Sequence, residues 1–169
     1  MTWRHPRAPV AALAAVSAFA FALLMYLDRG VTFYYDEWSF VIARQGHSAD
    51  VFLQPHNEHI VVAPVISYKA LFAVVGLGHH WPYFLVLLVM HLLLGLGVYL
   101  LVRPRAGAWP AVMAAALILF AGLAWQNMIW AFQIGFVGSV LGGVWAWVAL
   151  DRGGPRSDLA ACLALLFAR

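Results

Sequence analysis

The sequence predicts an all-α integral membrane protein, and three observations carry that prediction. Hydrophobic residues make up 64% of the 169 positions and charged residues only 10%, where a soluble domain carries about 25% charged residues. Mean hydropathy is +0.85. Apolar runs near the length needed to span a bilayer, about 20 residues, recur along the chain. Together these exclude an ordinary cytosolic enzyme, a disordered tail and a nucleic-acid module. The net charge is +3, and the basic residues are scattered rather than gathered into a patch. The single cysteine, Cys162, excludes an internal disulfide framework and a cysteine zinc site.

The elements follow in order. Arg4 and Arg7 precede an uncharged run over 10–27. Ala18-Phe19-Ala20 has the pattern of a signal-peptide cleavage site, but the apolar run continues past it, which predicts a signal anchor. Residues 28–59 are of another kind. They hold five of the seven acids (Asp28, Asp36, Glu37, Asp50 and Glu58) and three of the seven histidines (His47, His56 and His59). The stretch reads as an outer loop, and its many aromatic and aliphatic residues predict that it is ordered and lies on the membrane interface. Spans are predicted at 82–102, 108–124 and 131–150. A partial one at 158–169 reads as a truncated fifth span, as if the chain were the front part of something longer.

Residues 60–78 are apolar but interrupted by Pro64 and Lys69. Charge decides their placement. Short loops rich in Lys and Arg stay cytoplasmic. If 60–78 crossed the bilayer, Arg103/Arg105 and Arg152/Arg156 would fall outside. If it does not cross, these clusters and Arg4/Arg7 all fall inside. The segment is therefore read as an outer interfacial or re-entrant helix. A lysine near mid-membrane, which costs roughly 3 kcal/mol on insertion scales, supports the same placement. The N-terminus is then cytoplasmic and loop 28–59 lies on the outer side of the plasma (inner) membrane.

Two clusters in the loop carry candidate chemistry. In Asp36-Glu37 the adjacent carboxylates repel. On an extended segment they point to opposite faces, one toward a reaction centre, the other toward a metal, a backbone amide or an arginine. A solvated acidic turn is the plainer alternative. In His56-Asn57-Glu58-His59, preceded by Pro55, a helix start would put His56 and His59 on one face at i and i+3. With Glu58 they would make ligands for a divalent metal. The alternative is a polar helix start with Asn57 as its cap. Arg44 and Lys69 are the cations nearest the loop in sequence, suited to a phosphate, with snorkelling the default for Lys69. His91 and the residues Gln126, Asn127 and Gln133 read as interhelical hydrogen-bonders, Gly135, Gly138, Gly142 and Gly143 as close-packing positions, and His79-His80-Trp81 as an interface anchor.

This order of features resembles the multi-spanning GT-C glycosyltransferases, nearest to the branch of protein O-mannosyltransferases and bacterial lipid-A aminoarabinose transferases. The matching features are the arginine-bearing N-terminus, one span, Asp36-Glu37 in the first outer loop, His56 opening the second loop element, the 64–78 region as a juxtamembrane helix, and a span ending at Arg103. The chain has His-Asn-Glu-His at 56–59, where related transferases often show His-Pro-Pro. The resemblance implies transfer of a sugar from a polyprenyl-phosphate carrier to a sugar, lipid or protein acceptor on the outer face. Asp36 would be the general base, supported by Glu37, with Arg44, His56 and Lys69 toward the donor. Two rivals stand beside it. A transporter or channel subunit would need ionisable groups at mid-membrane, where only His91 qualifies. A non-catalytic scaffold would use the loop to bind a partner.

Overall fold

The structure, a computed structural model, describes residues 7–167. Arg4 and the last two residues of the 158–169 run lie outside them. The described residues form eight α-helices: α1 (Arg7–Leu27), α2 (Ala49–Leu53), α3 (Val62–Val75), α4 (Trp81–Ala106), α5 (Ala108–Leu119), α6 (Trp125–Ile129), α7 (Ile134–Leu150) and α8 (Pro155–Phe167). A π-helical turn at Ser39–Ala43 and two short 3₁₀ turns join them. Four helical stretches are long and apolar enough to cross a membrane: Arg7–Leu27, Trp81–Ala106, Ala108–Ile129 and Ala131–Leu150.

α4 is the central helix and packs on α5, α7, α1 and α3. Glycines permit this proximity. A Cβ at Gly97 would stand 2.7 Å from Val144 Cγ1 of α7, so the bare backbone is what lets the two helices approach. Of the glycines singled out on α7, Gly135 faces Pro64 of α3, Gly143 faces open space, and Gly138 and Gly142 are buried. α4 runs four residues beyond the predicted Val102, carrying Pro104 in its last turn. Gly107 then separates it from α5 with φ +93°, a conformation that favours glycine.

The predicted span 108–124 is less regular than expected. The α-helix ends at Leu119, and the chain passes through Gly122–Ala124 into α6, which runs from Trp125 to Ile129. α8 begins at Pro155, where the missing N–H costs nothing in the first turn, and Asp158 favours the helix N-terminus.

α3 does not cross the bundle. Near its start Pro64 packs against Gly135, at the beginning of α7. Just past its end the Gly76 carbonyl accepts a hydrogen bond from Tyr83, at the beginning of α4. Both beginnings lie at the same end of the bundle as loop 28–59, so α3 lies along that end. At the opposite end Arg105 makes a two-pronged hydrogen bond to Asp151 (2.7 and 2.9 Å). That contact ties the last turn of α4 to the start of the loop after α7. The main core gathers under the loop, with Leu24, Phe33, Phe40, Val65, Tyr68, Tyr83, Phe84, Leu87 and Ile134 all buried.

Candidate functional site

The loop follows an ordered path over the helix ends. Asp28 closes α1 and is buried, Phe33 packs edge-on against Tyr83 and His80, and a turn at Tyr35 (φ +50°) leads through Asp36 and Glu37 into the π-helical segment. The segment is thus a turn rather than extended, because the Glu37 N–H bonds back to the Tyr34 carbonyl. The two carboxylates nevertheless diverge.

Glu37 is completely buried. Its Oε2 accepts from the Tyr34 N–H (2.9 Å), and its Oε1 accepts from the Tyr68 hydroxyl of α3 (2.5 Å) and faces His80 Nε2 (3.3 Å). The other nitrogen of His80, Nδ1, lies 2.9 Å from Asp28 Oδ1. His80 is therefore no interface anchor: it is buried between two carboxylates. Burial disfavours its charged form, but the hydrogen bonds to Asp28 and Glu37, together with their charges, outweigh that and lift its pKa to about 9. Burial, followed by the charge of Glu37 and the bond to it, pushes the Tyr68 hydroxyl far up.

Asp36 takes the other direction. Its side chain is part exposed, and Oδ1 lies 3.7 Å from His56 Nε2. That nitrogen is buried and has no hydrogen-bond partner, as is the indole nitrogen of Trp130. An aromatic wall backs the pair. His56 meets Phe40 and Phe132, Phe40 stacks on Phe132, and Phe132 stacks on Trp130. The result is a part-exposed carboxylate facing one unsatisfied ring nitrogen, that of His56, with the unpartnered Trp130 indole further along the aromatic wall.

The helix expected from His56 onward begins only at Val62. Asn57 and Glu58 both have positive φ, and His56 and His59 exchange backbone hydrogen bonds across a tight turn. Asn57 is therefore no helix cap, and the two histidines do not share a helix face. His59 turns toward Phe136 while His56 turns toward Asp36. Among the described residues no three His, Cys, Asp or Glu side chains converge as metal ligands, so His56, Glu58 and His59 do not form the triad their spacing suggested.

The two cations are also committed to structure. Arg44 is buried and donates to the carbonyls of Val51 (2.9 Å), Gln54 (2.6 Å) and Pro55 (3.3 Å), which pins the loop around α2. Burial lowers its pKa from the ordinary value. The Lys69 ammonium donates to the Arg44 carbonyl (2.7 Å), leaving it two further N–H donors beside a cavity of about 490 Å³ that Arg44, His47 and Phe72 also line. A second cavity, about 520 Å³, opens between α3 and α7, with Glu58 and His59 among otherwise largely apolar walls.

Sequence reasoning passed over Asp28 and His80. The available signal was their position, one directly after the first span and the other directly before the second, which puts both at the same membrane boundary. Comparison with protein-family models, curated proteins and solved structures finds no match to this chain.

Proposed function

We propose that the chain belongs to a membrane glycosyltransferase of the GT-C type. It would transfer a sugar from a polyprenyl-phosphate donor to a sugar, lipid or protein acceptor at the outer face of the plasma membrane, with its N-terminus in the cytoplasm. The observation that carries this reading is Asp36: a part-exposed carboxylate at the loop end of a membrane helix bundle, 3.7 Å from an unpartnered His56 nitrogen.

In the proposed reaction an acceptor hydroxyl gives its proton to Asp36 as its oxygen attacks the anomeric carbon of the donor sugar. The bond from that carbon to the carrier phosphate breaks, and the phosphate leaves with the electron pair. A positioned base of this kind contributes typically about 10²–10⁴-fold. His56 Nε2 and the Trp130 indole N–H are groups that sugar hydroxyls satisfy. The leaving phosphate needs cationic support. Lys69, with one bond to a carbonyl, is freer to supply it than Arg44, which is held by three. Because His56 turns toward Asp36 while Glu58 and His59 line the cavity between α3 and α7, no step is assigned to a divalent metal. Glu37, wholly enclosed, is a structural support of the turn rather than a second base.

The test is sugar transfer from the lipid carrier by full-length protein carrying Asp36→Asn or Glu37→Gln. Loss of transfer in Asp36→Asn supports the assignment, and normal turnover in that variant removes it.

A further inference from the structure

The buried group beneath the turn joins four separate parts of the chain. Asp28 ends α1, Glu37 belongs to the loop, Tyr68 to α3, and His80 immediately precedes α4. Asp28, Glu37 and His80 are each at most 5% exposed. Both ring nitrogens of His80 face carboxylate oxygens. A neutral imidazole donates from one nitrogen only and would turn the lone pair of the other toward a carboxylate; the imidazolium donates to both. Glu37 in turn closes the turn on both sides of Asp36, accepting from the Tyr34 N–H through its side chain and donating its own N–H to the Tyr34 carbonyl. The chain of contact therefore runs from His80 through Glu37 to the two ends of the segment that presents Asp36.

We propose that His80, as an imidazolium clamped between Asp28 and Glu37, is the positioning residue that holds the Asp36 turn against the helix layer. Its role in catalysis rests on the reading of Asp36 as base; its role in holding the turn does not. The groups that face it are Asp28 from the end of α1, Glu37 from the loop, Tyr68 from α3 through Glu37, and Tyr83 from α4 by way of Phe33. Arg29 and His79 line the cavity of about 680 Å³ beside it. Deprotonation of His80 leaves two buried carboxylates with no cation between them. The turn then loses its reason to stay docked, and Asp36 its position.

The experiment follows the turn itself. Spin labels at Tyr35→Cys and Leu123→Cys, both strongly exposed positions, are introduced with Cys162→Ser into full-length protein in lipid nanodiscs. Their distance distribution is measured from pH 6 to 10. One narrow distance at neutral pH, broadening with a midpoint near 9, is expected. Asp28→Asn and Glu37→Gln each remove one carboxylate and move the midpoint to lower pH. His80→Asn gives the broad distribution at every pH; if that variant does not fold, the two carboxylate variants still decide the matter. A narrow distance unchanged to pH 10, or a midpoint that neither carboxylate variant moves, overturns the proposal. Asp36→Asn in the same labelled background leaves the transition in place. Should that variant retain sugar transfer, the base assignment fails while the positioning role of His80 stands.

Discussion

The two ends of the helix bundle each carry a cation bound to carboxylate, and the environments make them opposites. At one end Arg105 holds Asp151 in an exposed two-pronged pair. At the other, His80 lies buried between Asp28 and Glu37. The exposed pair has better geometry, but water competes for both partners, and such pairs contribute little. The buried group is joined by longer bonds, but none of its members has water as an alternative. Removing one member leaves an uncompensated charge inside the protein. Local geometry is therefore a poor guide to which pair the structure depends on; the surroundings decide.

This contrast ranks the expected effects. The largest belongs to His80→Ala, which strands two buried carboxylates and is expected to cost about 3–5 kcal/mol, read as a lower midpoint of thermal unfolding in detergent. Adding Glu37→Leu to that variant should recover part of the loss, because one stranded charge goes with it. An unchanged midpoint in His80→Ala would place the network outside the stabilising core.

Raising the pH should reproduce part of the same loss without mutation. The His80 pKa is raised on folding from 6.5 to about 9. Its contribution is accordingly complete below about pH 6.5, and it fades as pH rises through about 9. Unfolding midpoints measured across that range should fall in the native protein and stay flat in His80→Ala. Tyr68→Phe comes next. It removes a hydrogen bond to a buried carboxylate without adding bulk, and about 1.5–3 kcal/mol is expected by the same measurement. The smallest effect belongs to Arg105→Gln, which should leave the unfolding midpoint where it was. A large drop there would reverse the ranking of the two ends.

Much of this architecture was legible in the sequence. The spans follow from uncharged length, and the non-crossing placement of α3 follows from Pro64, Lys69 and the position of the arginine clusters. The divergence of Asp36 and Glu37 was expected as well, including a backbone amide as one partner, although a turn at Tyr35 produces it rather than an extended strand. Other features were hidden for physical reasons. The helix expected at His56 gives way to a tight turn because Asn57 and Glu58 adopt left-handed conformations, which the apolar run downstream does not reveal. His80 was hidden by its neighbours: a histidine beside Trp81 at a span boundary looks like an anchor in the headgroup region. Its partners lie 43 and 52 positions away, so only the packing of α1 and α4 brings them together. Arg44 and Lys69 matched a phosphate by charge alone, but the loop's own carbonyls hold Arg44 by three bonds and Lys69 by one.

The most direct test of the central claim compares Asp36→Asn with the unaltered full-length protein at saturating lipid-linked donor and acceptor, with kcat as the readout. The account predicts that kcat falls by about 10²–10⁴-fold while binding of the donor persists, because a base acts on the barrier rather than on the carrier. A kcat within a factor of about two of the unaltered protein would contradict it, since no positioned base contributes so little.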